Sequence, residues 1–199
     1  MNSRRWYAGS MRIIAGTYRS RALTAPAGLA TRPTSDRLRE TLFNVLAPRI
    51  EGASFLDLYA GSGAVGIEAL SRSAGQVTCV ERAPAALKVM RANLTRLGVS
   101  AGFDVQPGSV GAYLRKALKA AERGFDVVFL DPPYDAAEEY AGTLGLLGGA
   151  AAGLLPEGAV VIAEHRRKEK LEEIYGALKR TRLLEQGDAA LSFYEERRS

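Results

Sequence analysis

The chain has little cysteine and little histidine, and these shortages exclude two kinds of site. Its 199 residues contain one cysteine, Cys79, and one histidine, His165. A single cysteine cannot form an internal disulfide, and these two residues lie too far apart in the sequence for a Cys/His zinc pattern. We therefore expect no bound metal and no disulfide framework.

Long apolar runs are also missing, although 47% of the residues are hydrophobic. No run approaches the roughly 20 apolar residues that cross a bilayer. The start of the chain, from Met1 to Trp6, lacks the apolar core of a secretory signal. The apolar content is enough to bury the core of one domain of ordinary size. We expect a cytoplasmic monomer with no membrane partner.

Positive charge is concentrated at one end of the chain. Residues 1–50 carry nine arginines and two acidic residues, a net charge of +7, so the rest carries −2 of the overall +5. With Trp6, Tyr7 and Tyr18, these arginines suit phosphate contacts and base stacking, although a solvated arm would have the same composition. We expect residues 1–50 to form a basic extension that faces nucleic acid and residues 51–199 to form the main domain.

Two local patterns predict structure in this extension. Residues 12–15 and 21–23 alternate imperfectly between polar and apolar, which is typical of a small hairpin. Farther along, Thr34 or Ser35 can cap a helix, because apolar residues recur at helical spacing after them. This helix is expected to end before Pro48.

From Ser54 onward, short apolar strands alternate with amphipathic helices, a pattern typical of a parallel sheet covered on both faces. The predicted strands are 54–58, 76–81, 103–106, 125–130 and 158–163. The helices predicted to follow them are 65–73, 85–97, 110–122, 138–147 and 168–178. At the end of the chain, residues 181–186 and 189–195 flank Gly187-Asp188 and predict an antiparallel hairpin. The sequence therefore predicts an α/β protein.

Glycines lie where the first strand is expected to run into its helix, in the sequence Asp57-Leu-Tyr-Ala-Gly61-Ser-Gly63-Ala-Val-Gly66. Glycine lets the backbone approach a ligand closely, and a helix N-terminus offers free N–H groups and a positive dipole end. The spacing matches a dinucleotide-binding fingerprint, but a tight strand-to-helix turn would look the same. Alone, the motif is a weak indication of a ligand site.

Two carboxylates narrow the choice of ligand. Glu81 ends the second strand about 20 residues after the glycines, where it can accept both ribose hydroxyl hydrogens of an adenosyl ligand. Asp57 precedes the glycine turn and can face a cationic amino group, directly or through water. A pyrophosphate would be repelled by Asp57, whereas an aminoacyl-sulfonium ligand would not. The pair favours the sulfonium ligand, although Glu81 could be a solvated strand end and Asp57 a turn residue.

A second motif, Asp131-Pro132-Pro133-Tyr134, follows the predicted strand 125–130 at the edge where ligands bind in open α/β sheets. An exocyclic amine is a weak nucleophile because its lone pair is delocalised into the ring. Asp131 and the carbonyl of Pro132 can each accept one N–H of such an amine, and Tyr134 can stack on an extruded base. A rigid strand exit with a capping Asp131 is the plainer interpretation, but the glycine motif at this distance favours catalysis.

The expected mechanism is direct transfer of a methyl group to the amine, without a covalent intermediate. Cys79 lies inside the predicted strand 76–81, away from the Asp131 edge. A cysteine adduct of the kind used for carbon methylation is therefore not expected.

These motifs resemble those of the amino-methylating class I methyltransferases, in which [D/N/S]-P-P-[Y/F/W] follows the glycine motif. Within that group the chain is similar to the RsmD family, the 16S ribosomal RNA guanine-N2 methyltransferases. The resemblance runs from about Met11 to the C-terminus. Beyond the two motifs it includes Arg12-Ile-Ile-Ala-Gly16 and the block Arg32-Pro-Thr34-x-Asp36-Arg37-x-Arg39-Glu40-x-x-Phe43-Asn44.

The resemblance implies a Rossmann-like class I methyltransferase fold with a seven-stranded, mostly parallel sheet, an antiparallel C-terminal hairpin and a small N-terminal extension. It also implies S-adenosyl-L-methionine as the cofactor and a guanine N2 amine as the target. The expected partner is 16S rRNA in the small ribosomal subunit or in an assembly intermediate. Cofactor binding is assigned to Asp57, Gly61, Gly63, Glu81, Ser109 and Thr34, and catalysis to Asp131, Pro132 and Tyr134.

Three assignments carry alternatives. Where such enzymes often have Asp or Asn after the third strand, this chain has Pro107-Gly108-Ser109, which leaves the adenine contact open. RNA phosphates are assigned to Arg12, Arg32, Arg37 and Arg39, although the Arg32 block could simply cap and pack a helix. A second phosphate contact at His165, Arg166, Arg167 and Lys168 competes with a solvated helix start.

Three other functions remain open from the sequence. Adenine-N6 methylation of DNA or RNA would use the same tetrapeptide. A non-catalytic RNA-binding or assembly protein could keep the fold, but binding alone would not need the acceptor geometry of Asp131 and Pro132. A nicotinamide-dependent oxidoreductase is favoured only by the glycine spacing.

Overall fold

The computed structural model describes residues 11–25, 35–120, 124–133 and 137–197. In chain order its strands are β1 (Ser54–Leu58), β2 (Gln76–Glu81), β3 (Phe103–Pro107), β4 (Val127–Leu130), β5 (Val160–Arg166), β6 (Ile174–Tyr175), β7 (Leu178–Gln186) and β8 (Ala189–Glu196). Its α-helices in this part of the chain are α1 (Asp36–Leu46), α2 (Ala64–Ser71), α3 (Pro84–Leu97), α4 (Val110–Lys119) and α5 (Ala137–Leu147). The expected α/β class is confirmed.

All eight strands form one sheet in the order β3-β2-β1-β4-β5-β8-β7-β6. Strands β1 to β5 are parallel, β8 pairs antiparallel with β5, and β7 and β6 continue the antiparallel part. The strand order reverses between β1 and β4, because the chain builds outward to β3 and then crosses back. Ligands bind at the carboxyl edge beside such a switch point.

Helix α1 is stabilised by an N-terminal cap and by a buried apolar face. The Ser35 hydroxyl accepts the N–H of Leu38 at 3.2 Å and so caps the first turn. Leu38, Leu42 and Leu46 recur at helical spacing and are all buried. The predicted cap and helix are confirmed.

The two faces of the sheet are covered by different helices. Helices α4 and α5 cover the face that carries Leu56 and Leu58. Helices α1, α2 and α3 cover the opposite face, which carries Phe55 and Phe129. Because side chains alternate along a strand, Asp57 lies on the same face as Phe55.

The predicted N-terminal hairpin is present and packs on the main domain. Arg12 and Ala22 form an antiparallel bridge. Met11, Ile13 and Leu23 are buried against Ala64, Ile67 and Leu97. The carboxylate of Glu68 in α2 also accepts the backbone N–H groups of Ile14 at 2.7 Å and Ala15 at 3.0 Å. The hairpin is therefore anchored to the helix that follows the glycine turn.

The predicted helix 168–178 is wrong. These residues contain a turn and the short strand β6, which pairs with β7. Gly176 has a φ of +58°, and a Cβ there would lie 2.2 Å from the Gly148 carbonyl oxygen, so a tight turn and a close backbone approach replace the helix. With β6 the sheet has eight strands instead of the expected seven.

His165 is part of the sheet instead of a phosphate contact or a helix start. It is buried in β5. Its Nε2 lies 2.9 Å from the Ser192 hydroxyl and its Nδ1 lies 2.9 Å from the Arg166 carbonyl oxygen. Burial lowers the pKa of His165, so the ring is held in its neutral form.

In the part of the chain that the structure describes, no helix is long and apolar enough to cross a membrane.

Candidate cofactor and active site

The described residues among those assigned to the cofactor and to catalysis come together at one edge of the sheet. Asp57 lies near the carboxyl end of β1, Glu81 ends β2, and Asp131 directly follows β4. Strand β1 pairs with both β2 and β4, so the glycine turn that follows it lies between the other two positions. The structure thus brings two motifs that are far apart in the sequence to the strand-order reversal.

The glycine turn is shaped by backbone conformations that favour glycine. Gly61 and Gly63 have φ angles of +55° and +78°. A Cβ on Gly63 would lie 2.7 Å from Cγ of Met90, whereas a Cβ on Gly61 would meet nothing within 4 Å. The backbone at Gly61 therefore borders open space, and Gly63 caps the N-terminus of α2. This arrangement fits a ligand that lies against the turn.

The Glu81 carboxylate is held rigidly beside this turn. One of its oxygens accepts the N–H of Gly61 and the other accepts the N–H of Ala83, both at 2.7 Å. Each carboxylate oxygen has a second lone pair, so two acceptor sites remain for other donors. Two adjacent, oriented acceptors match the two hydroxyl groups of a ribose.

Asp57 is almost completely buried under the turn. One of its oxygens accepts the N–H of Gly66 at 2.9 Å and lies 3.8 Å from Sγ of Cys79. Burial raises the pKa of Asp57 to about 7, although the Gly66 hydrogen bond opposes the shift. Burial also raises the pKa of the Cys79 thiol, with Asp57 adding to the effect. The thiol is therefore held protonated and is poorly suited to nucleophilic attack.

Asp131 and Pro132 occupy the exit of β4. Pro132 is buried, and Asp131 is partly buried. Burial raises the pKa of Asp131 well above its usual range, and the charges of Glu164 and Asp57 raise it further. Three carboxyl groups thus share one poorly solvated region. Such a region favours a cationic ligand, since a positive charge would offset their mutual repulsion.

Tyr59, within the glycine motif, is a structural link that no sequence pattern indicates. Its φ of +63° is unusual for a residue with a side chain. The phenol donates to the Glu139 carboxylate at 2.8 Å and lies 2.7 Å from the Thr143 hydroxyl. Burial is the main cause that raises the pKa of Tyr59, so it stays a neutral donor. Tyr59 therefore ties the glycine turn to α5, the helix that follows the second motif.

The assignment of Arg39 to RNA phosphates is wrong, because its side chain is completely buried. Its Nη2 donates to Asp36 at 2.9 Å and to the Arg12 carbonyl oxygen, and its Nε lies 3.7 Å from the Glu68 carboxylate. A guanidinium in this position joins α1, α2 and the hairpin from inside. The alternative interpretation of the block, as a packed helix, applies to Arg39.

Arg12 and Arg37 are placed differently. The Arg12 side chain is 65% exposed and lies 3.5 Å from Asp36, while Arg37 is exposed on α1. Because both side chains are exposed, each can contact a phosphate with no change in the fold. Their assignment to RNA stays a prediction. Arg32, Thr34 and Tyr134 lie outside the described residues.

Ser109 caps α4, and its hydroxyl accepts the N–H of Ala112 at 3.4 Å. The preceding Gly108 donates its N–H to the carbonyl oxygen of Glu81 at 2.9 Å. The loop after β3 therefore lies next to Glu81, and the contact of Ser109 with a cofactor stays a prediction. Among the described residues no group of three or more His, Cys, Asp or Glu side chains could hold a metal ion.

Comparisons with known proteins agree on one family. The family model described as "Conserved hypothetical protein 95" matches residues 11–195. A Bacillus subtilis protein named "Putative rRNA methyltransferase YlbH" is 37% identical over 187 residues, which are 94% of this chain and 100% of that protein. The Escherichia coli K12 protein named "Ribosomal RNA small subunit methyltransferase D" is 41% identical over 127 residues, 64% of this chain and 62% of that protein.

A solved structure gives the same result. The structure named "Putative methyltransferase yhhF from Escherichia coli" aligns with a TM-score of 0.79 at 34% sequence identity. The alignment covers 94% of this chain and 98% of that chain. The similarity therefore extends over nearly the whole of both chains.

Proposed function

This chain belongs to the RsmD family and has the class I methyltransferase fold, and on that premise we propose that it methylates the N2 amine of a guanine in small-subunit ribosomal RNA. S-adenosyl-L-methionine supplies the methyl group when bound. The names of the Bacillus and E. coli relatives support an rRNA substrate. The choice of guanine N2 rests on the resemblance and on the chemistry of the site.

One observation carries the proposal: Asp131 and Pro132 leave the sheet beside the glycine turn of β1, at the point where the strand order reverses. Two acceptors with fixed directions then lie next to a surface that fits an adenosyl ligand. Methyl transfer to nitrogen needs this neighbourhood, since the amine and the methyl donor must meet in line.

Each residue of the site has a separate role in binding the cofactor or holding the amine. Glu81 binds the ribose through its two oriented acceptors, and Asp57 provides negative charge for the amino group of the ligand. Asp131 and the carbonyl of Pro132 each accept one N–H of the amine, which turns its lone pair toward the methyl group. Positioning dominates over acid catalysis, because the positive charge of the donor disappears during transfer.

The raised pKa of Asp131 fits this role. In the free protein the carboxyl is disposed to keep a proton, because it is poorly solvated and lies near the charges of Glu164 and Asp57. The positive charge of a bound sulfonium cofactor would lower that pKa and favour the carboxylate form, which accepts an N–H. Cofactor binding would thus prepare the acceptor that the amine needs.

RNA binding is assigned to the outer surface of the hairpin and α1. Arg12, Arg19 and Arg21 are exposed on the hairpin, and Arg37 is exposed on α1. The hairpin is anchored to α2 through Glu68, so these arginines are fixed relative to the glycine turn. Exposed arginines on a rigid support suit phosphate contacts that position a base for catalysis.

The experiment that tests the proposal separates binding from transfer. Asp131→Ala should abolish transfer of labelled methyl to small ribosomal subunits and lower S-adenosylmethionine affinity by no more than about tenfold, because Asp131 contacts the base and affects the cofactor only through its charge. The matched control is Asp188→Asn, in the exposed turn between β7 and β8, which should leave both measurements unchanged. A large loss of cofactor affinity in Asp131→Ala, or normal transfer, would contradict the assigned role.

A further inference from the structure

The carboxyl edge holds a fourth acidic residue, beyond Asp57, Glu81 and Asp131, that has no direct role in the proposed reaction. Glu164 lies in β5, next to β4, and is only 3% exposed. A buried carboxyl is costly, and the three residues that precede it, Val161, Ile162 and Ala163, are buried apolar side chains. An acidic residue at this point therefore needs a reason.

The sheet register places Glu164 beside Asp131. Leu130 of β4 pairs with Ala163 of β5 in parallel, so the next positions along the two strands are Asp131 and Glu164. Neighbouring strands lie about 4.8 Å apart, and paired residues of parallel strands point to the same face. Both side chains therefore lie on the face covered by α1, α2 and α3. The charge of Glu164 is also the largest electrostatic cause of the raised pKa of Asp131.

The backbone of Glu164 is fixed from two sides. It pairs with Leu191 of β8, and its carbonyl oxygen accepts the hydroxyl of Tyr140 at 2.8 Å. Tyr140 belongs to α5, the helix that follows the second motif. A carboxyl carried on such a rigid support can select a ligand by geometry.

A buried positive charge lies close enough to act on Glu164. Glu164 raises the pKa of Arg39, although burial lowers that pKa more strongly. The Nε and Nη1 atoms of Arg39 are buried and have no hydrogen-bond partner among the described residues. Arg39 can therefore stabilise the carboxylate form of Glu164, which is the form that accepts hydrogen bonds.

Building on the proposed function, we propose that Glu164 determines base specificity by accepting the ring N1–H of guanine while Asp131 and Pro132 hold the neighbouring N2 amine. Guanine presents N1–H and N2–H donors side by side, which two adjacent carboxyl groups match. Adenine presents an N1 lone pair beside its amine, and a carboxylate at Glu164 would repel it. The site would then reject adenine, although Asp131 and Pro132 accept either amine.

The test uses a base that keeps the amine and loses the ring donor. 2-Aminopurine has the 2-amino group of guanine, but its N1 is an acceptor. It is placed at the methylated position of the small-subunit RNA, and kcat/KM is measured for both bases. The wild-type protein should prefer guanine by tenfold or more, since a hydrogen bond to a charged group is lost and two acceptors face each other.

Glu164→Gln should shift this preference. The amide oxygen accepts guanine N1–H without the charge of a carboxylate, so transfer to guanine should fall about tenfold. The NH2 group can instead donate to N1 of 2-aminopurine, so the ratio of kcat/KM for 2-aminopurine to kcat/KM for guanine should rise. Asp131→Asn should lower transfer to both bases by similar factors, and the exposed Glu157→Gln should change neither. If the role of Glu164 is only structural, Glu164→Gln will lower transfer to guanine and to 2-aminopurine by the same factor and leave their ratio unchanged.

The outcomes separate the two proposals. If the wild-type protein forms no N2-methylguanosine at all, the proposed function fails. If it does so but accepts 2-aminopurine as well as guanine, or if Glu164→Gln lowers both rates by one factor, the role of Glu164 is overturned. The wild-type comparison stands even if Glu164→Gln does not fold.

Discussion

Arg39 and Glu68 form an ion pair in which both side chains are completely buried, with Arg39 Nε 3.7 Å from the Glu68 carboxylate. Glu68 also accepts Arg72 Nε at 2.7 Å and two backbone N–H groups of the hairpin. Helix α1, helix α2 and the hairpin thus meet at one carboxylate. Since α2 begins at the glycine turn, these contacts fix the helix that borders the cofactor site.

Removal of Arg39 should therefore destabilise the protein. Arg39→Ala leaves Glu68 without one of its cations and is expected to lower the free energy of unfolding by about 3 kcal/mol. The control is Arg37→Ala on the exposed side of the same helix, which should change stability by less than about 0.5 kcal/mol. Urea unfolding of both variants measures the difference. Equal, small effects would show that the buried pair contributes little.

The same two arginines should differ in RNA binding. Arg37→Ala should weaken RNA binding, because Arg37 is exposed. The slope of log affinity against log salt concentration should become shallower by about one unit, which corresponds to one lost phosphate contact. A charge-preserving Arg39→Lys that remains folded should leave the slope unchanged, since Arg39 is buried. An unchanged slope in Arg37→Ala would remove Arg37 from the RNA surface.

Asp57 should make the stability of the cofactor-free protein depend on pH. Its pKa is about 7 in the folded protein and lies near 3.8 without burial. A raised carboxyl pKa means that the folded state holds its proton longer, so stability is lost as pH rises from about 4 to about 7. Asp57→Asn lacks this titration and should become the more stable protein at pH 8, by on the order of 3 kcal/mol.

Unfolding in urea at pH 4.5 and pH 8 measures this effect, with variant and wild type compared at each pH. The advantage of Asp57→Asn should be small at pH 4.5 and large at pH 8, while its S-adenosylmethionine affinity falls. The same difference at both pH values would mean that the Asp57 carboxyl is not buried in its charged form.

Gly66 should be required for the contact between α2 and β2. A Cβ at this position would lie 2.5 Å from Sγ of Cys79 and 3.1 Å from Cγ1 of Val77. Gly66→Ala is expected to cost about 2 kcal/mol through overpacking. Gly145→Ala in α5, where a Cβ meets nothing within 4 Å, should be neutral or slightly stabilising. Thermal unfolding compares the two.

A double variant identifies the cause of the Gly66 effect. Cys79→Ala removes the sulfur that lies in the way, so Gly66→Ala should cost less in its presence than alone. Strictly additive effects of the two substitutions would place the cost of Gly66→Ala elsewhere.

Glu81 should control cofactor affinity without affecting the base. Glu81→Gln replaces one acceptor oxygen by an NH2 group that faces a backbone N–H, at Gly61 or Ala83. Affinity for S-adenosylhomocysteine should fall about tenfold to a hundredfold. Calorimetry measures it against Glu138→Gln, an exposed residue of α5 that should bind normally. Unchanged affinity in Glu81→Gln would exclude Glu81 from the ribose site.

Much of the fold could be predicted because the local signals are strong and agree. Strands 54–58 and 76–81 were predicted with the bounds that the structure shows, since each is a short apolar run with clear breaks. The sequence of residues 168–178 predicts a helix that the structure does not contain. The close approach of Gly176 to Gly148 is a tertiary contact, and no local sequence pattern indicates it.

The site was predictable only in part. Asp57, Glu81 and Asp131 lie at the carboxyl ends of strands that the sequence predicts, so their common edge follows from the parallel topology. Arg39 could not be distinguished from Arg37, because only the completed fold shows which side of α1 is covered. Glu164 directly follows the apolar run 158–163, as Asp131 follows the run 125–130, and this shared pattern marks it in the sequence.

The most direct test of the central claim is transfer of labelled methyl from S-adenosylmethionine to small ribosomal subunits that lack this modification, followed by nucleoside analysis. We predict that the label appears in N2-methylguanosine. Label in N6-methyladenosine, or no label from protein that binds the cofactor, would contradict the account.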